Sequence, residues 1–354
     1  MKQLFASVLT SALVLSTTTS VFAADDSVAA LEKAAKAEGT LNSVGMPDSW
    51  ANWKETWQDI TSKYGIKHSD TDMSSAQEIA KFLAEKNNAS ADIGDVGAAF
   101  GPVAMKEGVT LPYKPTTWAQ VPDWAKDKDG NWALAYTGTI AFIIDKSQVK
   151  NEPHSWADLL KGNYKVTIGD VSTAAQAANG VLAATYAMGG NEKNLKPGLE
   201  YFAKLAKAGR LGLNDPSIAS LEKGEVQVGI VWDFNGLNYR DQIDKTRFDV
   251  LIPTDGSITS GYTTIINKYG KHPNAAKLAR EYIFSDAGQI NLARGYARPI
   301  RAEHLTLPDD VKAKLLPNSE YANAHPITDA AAWDKSSKAL PRLWQENVMI
   351  NMQQ

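Results

Sequence analysis

A run of aromatic and acidic residues follows one predicted strand and is the first candidate for ligand chemistry. Residues 226–231 are mostly apolar and indicate a short buried strand, which Trp232, Asp233 and Phe234 follow at once. Ligands of open α/β sheets bind beyond the carboxyl ends of the strands. We therefore expect Trp232 and Asp233 to face a cleft. The alternative is that both aromatic rings are core and that Asp233 caps a helix starting near Gly236.

Short polar clusters recur at the other predicted strand ends, and their charge indicates which ligand they suit. They contain Asp48, Asp95 and Asp233 but no Lys or Arg. Carboxylates and aromatic faces attract cations, whereas an anion usually requires Arg or Lys. The pattern favours a small ligand with a positive amine or ring. The clusters are residues 46–50, 74–77, 95–100, 136–139, 172–176, 232–235 and 260–262.

Two hydroxyl residues keep an anionic ligand open. Ser172 and Thr173 stand at a predicted helix start and could hold a phosphate or phosphonate group, although plain helix capping explains them as well. The chain has no nucleophile-elbow, phosphate-loop, zinc-protease or dinucleotide-binding motif. We expect no catalytic residue, no metal site and no cofactor. The candidate ligand-binding residues are Asp48, Trp50, Ser75, Asp95, Tyr136, Ser172, Thr173, Trp232, Asp233 and Tyr262.

Composition limits the class of protein. The 354 residues suffice for two domains, and the net charge of −3 gives no electrostatic footprint for nucleic acid. The chain has no cysteine, which excludes disulfides and thiolate chemistry.

The first 23 residues have the pattern of an export signal. Lys2 supplies a positive start, residues 4–15 are apolar but too short to span a bilayer, and Val21 and Ala23 occupy the small-residue positions before a cleavage site. We expect cleavage after Ala23 and a periplasmic mature protein.

The elements that must position these residues alternate between strand and helix. Residues 39–100 predict three strand–helix units, with Ser49 capping a helix over residues 50–64 and a capping box at Ser75 and Glu78. Residues 132–144 predict a long strand in which Gly138 indicates a bend or a close backbone approach. A second alternation follows, and the polar residues 255–262 predict a flexible crossover back to the first unit.

Several longer segments in combination resemble the periplasmic solute-binding proteins of bacterial ABC importers. The resemblance is to the branch that binds ferric iron, thiamine, polyamines, aminoethylphosphonate and sugar phosphates, and it covers nearly all of residues 24–354. The segments that carry it are YTGTIAFIIDK at 136–146, LEKGEVQVG at 221–229, SGY at 260–262, PNAAKLA at 273–279 and FSDAGQ at 284–289.

The resemblance implies an α/β fold of two lobes, each a mostly parallel sheet covered by helices, joined by two hinge crossovers. It implies one lobe at 24–137 plus 262–307, a second at 138–261, and C-terminal helices at 308–354 that either lobe could hold. By position, Ser172 and Thr173 match where relatives bind phosphate or hydroxyl groups, and Trp232 and Tyr262 match where relatives stack a ring or amine.

The resemblance also implies a role. We expect a monomer that captures a small amine-bearing solute, such as a polyamine, a thiamine-like compound or an aminophosphonate, and delivers it to an ABC permease in the inner membrane. The alternatives are an anionic solute such as a sugar phosphate or phosphonate, ferric iron, or a secreted hydrolase. Iron ranks below organic ligands because the paired tyrosines of ferric-binding relatives are missing; Tyr239 and Tyr262 each stand alone.

Overall fold

The computed structural model describes residues 19–353, and the side chains of residues 27–352. Residues 1–18 of the predicted signal peptide lie outside this part, and cleavage after Ala23 stays a prediction. Within the described residues, no helix combines the length and the apolar character needed to cross a membrane.

Eleven strands and thirteen α-helices make up the described chain. The strands are β1 (Thr40–Val44), β2 (Lys67–Thr71), β3 (Ile93–Gly97), β4 (Trp132–Asp145), β5 (Val166–Thr167), β6 (Leu211–Gly212), β7 (Val228–Trp232), β8 (Phe248–Leu251), β9 (Ser257–Ile266), β10 (Arg298–Pro299) and β11 (Ala324–Pro326). The helices are α1 (Thr19–Glu38), α2 (Trp53–Tyr64), α3 (Ser75–Glu85), α4 (Phe100–Lys106), α5 (Trp156–Lys161), α6 (Ala175–Ala187), α7 (Lys196–Lys207), α8 (Ile218–Glu222), α9 (Asp233–Ile243), α10 (Pro273–Phe284), α11 (Asp286–Arg294), α12 (Asp309–Lys312) and α13 (Ala330–Asn347).

The strands form one mixed sheet in the order β2-β1-β3-β9-β4-β7-β5-β6. The outer strands pair in parallel, β1 with β2 and β3, and β5 with β6 and β7. The two long strands β4 and β9 run antiparallel to their neighbours in this order and join the parallel groups, and β11 adds to β9 in parallel. We call β1, β2, β3 and β9 the first half of the sheet, and β5 to β8 the second half. The predicted α/β class with parallel sheets under helices is confirmed.

Strand β4 passes from one half of the sheet to the other. Its residues up to Thr139 pair with β9, and those from Ile140 pair with β7. Gly138 lies at this transition, where a Cβ atom would stand 2.5 Å from the Phe234 ring. The close approach that the sequence predicts at Gly138 is therefore present, and it needs a residue without a side chain.

The segment predicted to be a flexible crossover, residues 255–262, is mostly strand. Strand β9 begins at Ser257, whose hydroxyl donates a hydrogen bond to the Ile140 carbonyl at 2.5 Å. The hydroxyls of Thr139 and Thr259 are 2.8 Å apart. The polar side chains are thus satisfied inside the sheet, which is why they do not form a loop.

Three helix starts also differ from the predictions. Helix α2 begins at Trp53 after a left-handed Asn52 (φ 57°), so Ser49 does not cap it. The capping box of α3 uses Ser74 and Gln77, one residue before the predicted pair. Helix α9 starts at Asp233, three residues before the predicted Gly236.

Asp233 anchors the place where the two halves of the sheet meet. One carboxylate oxygen accepts hydrogen bonds from the backbone N–H groups of Thr139 and Phe234, each at 2.9 Å. The other accepts from the Tyr321 hydroxyl at 2.6 Å, and the Arg298 guanidinium lies 3.9 Å from the Tyr321 ring centre. Burial raises the pKa of Asp233, and the bond from Tyr321 opposes that shift most strongly. Asp233 therefore ties β4 and α9 to the C-terminal segment.

We predict that Gly138→Ala lowers the free energy of unfolding by about 1–3 kcal/mol, because the new methyl group overlaps the Phe234 ring. Urea unfolding of Gly138→Ala, Phe234→Ala and the double variant measures the coupling. The double variant should lose clearly less than the sum of the single losses. Strictly additive losses would show that the Phe234 ring is not the reason why position 138 requires glycine.

We predict that Tyr321→Phe lowers the free energy of unfolding by about 1.5–3 kcal/mol, because a buried carboxylate loses a hydrogen-bond donor. The matched control is Tyr269→Phe, whose half-buried hydroxyl makes no hydrogen bond to the described residues. Equal urea midpoints for the two variants would contradict the anchoring role of Asp233.

Candidate functional site

A cleft of about 580 Å³ lies between the two halves of the sheet. One wall consists of the segments that follow β1 and β2, the start of α3 and a residue of β3. The opposite wall consists of the start of α6 and the segment before α8. Five carboxylates face this space, and no Lys, Arg or His is among its described lining residues. We call the five acidic side chains the cleft carboxylates: Asp72, Glu78, Asp95, Asp170 and Asp215.

Two of the cleft carboxylates form the floor and are almost completely buried. Glu78 is 1% exposed and Asp95 is 2% exposed. The first turn of α3 directs Glu78 back onto β3, where its carboxylate accepts a hydrogen bond from the Asp95 backbone N–H at 3.0 Å. Burial raises the pKa of Asp95 to about 8 and that of Glu78 well above its usual range, and the neighbouring acid adds to the shift of Glu78.

The opposite wall places Asp170 and Asp215 side by side after the short strands β5 and β6. The Asp170 carboxylate accepts hydrogen bonds from the Ser172 backbone N–H at 2.8 Å and from the Thr173 hydroxyl at 2.7 Å. Gly169 turns the chain into this loop with a left-handed φ of 88°, and a Cβ atom there would stand 2.4 Å from an Asp215 oxygen. The loop therefore depends on glycine both for its backbone conformation and for the approach of Asp215.

Asp72 extends the acidic surface at the edge of the first wall. Solvent still reaches its side chain, yet partial burial between the walls raises its pKa, and the charge of Asp215 adds to the shift. Burial also raises the pKa of Tyr239, with contributions from the charges of Asp72 and Asp215. Negative charge from both walls thus acts on the same space.

Aromatic rings form the end of the cleft. Trp50 donates its indole N–H to the Tyr136 hydroxyl at 2.8 Å, and its ring meets the Tyr262 ring edge-on at 5.3 Å. The Tyr136 hydroxyl donates in turn to Asp95 at 2.6 Å. Behind this layer, Trp232 donates its indole N–H to the Tyr262 hydroxyl at 3.1 Å. Trp50, Tyr239 and Tyr262 are the aromatic residues that line the cleft itself.

The two walls touch directly near the aromatic end. Asn238 of α9 donates a side-chain hydrogen bond to the Ser49 carbonyl at 2.7 Å. The Tyr296 hydroxyl, which follows α11, bonds to Asp241 of α9. These contacts hold the halves together across the cleft.

The structure brings five of the ten residues that the sequence singled out into the lining of the cleft. Trp50, Ser75, Asp95, Thr173 and Tyr262 line the cleft, and the Ser75 hydroxyl accepts a hydrogen bond from the Gly97 N–H at 3.0 Å.

The remaining predicted residues lie outside the lining of the main cleft. Ser172 lines a smaller adjacent cavity of about 150 Å³. Tyr136 and Trp232 support the lining from behind. Asp233 does not reach the cleft, because both its oxygens are bonded at the strand crossing. Asp48 is exposed and is not part of the lining.

Sequence reasoning missed most of the acids and one ring in the cleft: Asp72, Glu78, Asp170, Asp215 and Tyr239. Two features of the sequence could have indicated some of these residues. Asp72 and Asp170 each stand beside a polar cluster that was recognised. Asp215 precedes a Pro-Ser helix start, but the two-residue strand β6 before it is too short to predict.

The acids do not form a metal centre in the described part of the chain. No group of three or more His, Asp or Glu residues there is placed to hold a metal ion. The arrangement instead offers hydrogen-bond acceptors and ring faces at separate positions around an open space, which suits an organic cation.

Comparison with known proteins gives the family. Residues 88–335, more than half of the chain, match the family model for bacterial extracellular solute-binding proteins. A probable ABC transporter periplasmic-binding protein of Sinorhizobium fredii, y4fP, is 25% identical over 292 residues, which cover 77% of this chain and 76% of that protein. The sulfate-binding protein of Escherichia coli K12 is 26% identical over 188 residues, 51% of this chain; the match spans only 56% of that protein.

The fold is also found among solved structures. The periplasmic binding protein AfuA of Actinobacillus pleuropneumoniae, with fructose-6-phosphate bound, superposes with a TM-score of 0.72 at 16% identity and covers 88% of this chain and 98% of its own. The family description names solute binding and not catalysis, in agreement with the prediction from the sequence. The chain belongs to the bacterial extracellular solute-binding proteins.

Proposed function

We propose that this protein is the periplasmic binding component of an ABC importer and that its solute is a small organic cation with at least one amine. The observation that carries the proposal is the cleft charge: five carboxylates and no basic residue among the described lining. A polyamine, a thiamine-like compound and an aminophosphonate all carry a positive group, and the first fits the charge best.

The charge of the cleft makes a cation favourable and an anion costly. Two unit charges 4 Å apart interact by about 4 kcal/mol at the effective dielectric of a protein surface. An entering ammonium gains this attraction from carboxylates on either wall, and an anion meets repulsion of similar size. The raised pKa values of Asp72, Glu78 and Asp95 have burial as their main cause, and repulsion from neighbouring carboxylates adds to all three.

The start of α6 also argues against an anion. Anions bind where backbone N–H groups and hydroxyls are unpaired at a helix start. Here the Ser172 N–H and the Thr173 hydroxyl already bond to the Asp170 carboxylate, which supplies the negative charge from within the chain. The sulfate-binding protein is named for an anion and the AfuA structure has fructose-6-phosphate bound, whereas the acidic lining of this cleft disfavours an anion.

Size and shape fit a small organic molecule. A cleft of about 580 Å³ lies in the usual range of small-molecule sites. Trp50 and Tyr262 offer ring faces or edges to an alkyl chain or a positive ring, and the carboxylates on both walls leave room for a molecule with two separated charges. These features favour a diamine or a longer polyamine within the proposed class.

The role in transport rests on the family and on the two-walled cleft. We propose lobes at residues 24–137 plus 262–307 and at 138–261, with movement at β4 and β9, which join the halves of the sheet. Helix α13 packs on α7 of the second half, where the Trp344 and Phe202 rings lie 5.4 Å apart. We therefore assign the C-terminal helices to the second lobe. The partner is an ABC permease, which fits the name of the Sinorhizobium fredii relative.

Calorimetric titration of mature, ligand-stripped protein tests the proposal. The panel is putrescine, thiamine, 2-aminoethylphosphonate, fructose 6-phosphate, sulfate and ferric citrate. We predict binding of amine-bearing members, and a loss of at least tenfold in affinity, about 1.4 kcal/mol, for Asp170→Asn and for Asp215→Asn.

The matched control is Asp129→Asn, which removes an exposed carboxylate outside the cleft lining and should leave affinity unchanged. Binding of fructose 6-phosphate or sulfate with no response to any amine would overturn the cationic assignment. Binding of ferric citrate alone would point to iron.

A further inference from the structure

We infer that Glu78 and Asp95 form a subsite for one primary ammonium group of the solute, and that the ammonium replaces a proton held by this pair. The inference rests on the proposed function and adds two properties to it. It names the residues that select a primary amine over a quaternary one, and it couples capture of the solute to release of a proton.

The first step is the packing of Glu78. A Cβ atom on Gly45 would stand 2.1 Å from one of its carboxylate oxygens, and a Cβ atom on Gly94 would stand 2.4 Å from the other. The two glycines therefore allow the backbone to close around the carboxylate from both sides. Its hydrogen bond to the described residues comes from the Asp95 backbone N–H. A buried carboxylate held by so few donors is costly when charged.

The second step is the free acceptor on Glu78. Its Oε2 atom accepts the Asp95 N–H, but its Oε1 atom has no hydrogen-bond partner among the described residues. On Asp95, the Tyr136 hydroxyl donates to Oδ2 at 2.6 Å, and the Trp53 indole N–H is a further donor to the carboxylate that lowers its pKa. Buried acceptors without a partner are rare, and each calls for an explanation. Asp95 and Glu78 both line the cleft, so a ligand donor is a direct explanation.

The third step is the charge around the pair. The groups that face it from neighbouring elements are Asp70 and Asp72 at the end of β2 and the hydroxyls of Tyr136 on β4 and Tyr262 on β9. All are acidic or neutral at pH 7. The described residues supply no cation to this pair, so either a proton or a ligand must compensate its charge.

The ammonium group replaces the proton without any covalent bond to the solute forming or breaking, and the charge at the pair is conserved. In the empty cleft the pair holds a proton, in keeping with the pKa of about 8 at Asp95 and the raised pKa of Glu78. The entering R–NH₃⁺ group donates N–H bonds to the carboxylates, and the displaced proton leaves to solvent. A quaternary ammonium carries no N–H group, so it leaves the Glu78 acceptor unpaired and binds less well.

The sign of the pH effect follows from the same step. Protonation of the pair competes with the ammonium, so affinity is low below the raised pKa values and increases as the pH rises through them. Putrescine keeps both charges over this range, because alkyl ammonium groups lose their protons near pH 10. The affinity for putrescine should therefore rise by at least fivefold between pH 6 and pH 8.

The test is calorimetric titration with putrescine at pH 7 in phosphate and in Tris, which differ in ionisation enthalpy and so report protons released. We expect release of roughly one proton per putrescine by the wild type. Glu78→Gln should reduce the release by more than half and flatten the pH dependence of affinity. Asp170→Asn, the matched cleft control, should weaken binding but keep the release. Choline should bind at least tenfold more weakly than putrescine.

The outcomes separate this inference from the proposed function. If no amine binds, the proposed function fails and the inference fails with it. If putrescine binds without proton release and with equal affinity at pH 6 and pH 8, the inference alone is wrong. The wild-type measurement decides this even if Glu78→Gln does not fold, and Asp95→Asn provides a second variant with the same expected loss of release.

Discussion

Negative charge gathered between two walls, with no basic residue among the described lining to balance it, is the constraint on which this structure depends. Asp72 and Glu78 approach from one side, and Asp170 and Asp215 approach from the other. Of the cleft carboxylates, Glu78 and Asp95 are buried, and a buried carboxylate costs free energy unless it is protonated or paired. In the proposed function, a bound cation removes this cost. A ligand that relieves an unfavourable charge in the empty site binds more tightly for that reason.

The two long strands bring these acids together and fix their positions. Strand β4 pairs with β9 over its first part and with β7 over its second, so the ends of both parallel groups open onto the same space. Gly138 lets the Phe234 ring pack on β4 at the transition. Asp233, bonded to Tyr321, holds that transition in place instead of meeting the solute. Asp233 thus has a structural role at the strand crossing and is not one of the acids that line the cleft.

The sequence alone predicts the elements and the polar strand ends, but it does not predict where each side chain points. Trp50, Asp95 and Tyr262 reach the cleft because strand ends meet at one edge of a sheet. Asp233 was expected beside them, but its orientation depends on Tyr321, 88 residues away, and no local pattern reveals that bond. Glu78 looked like a helix cap because only the packing of α3 on β3 buries it. The polar start of β9 looked like a loop because its hydroxyl partners lie on β4.

The most direct test of the cationic cleft is the identity of the molecule that the protein holds when it is purified. Mature protein would be isolated from the periplasm without denaturation, unfolded in acid, and the released small molecules identified by mass spectrometry against a sample of the Asp215→Asn variant. The account predicts a near-stoichiometric molecule with a primary amine and a net positive charge at pH 7, depleted in the variant. Recovery of sulfate or a phosphorylated sugar in that amount would contradict it.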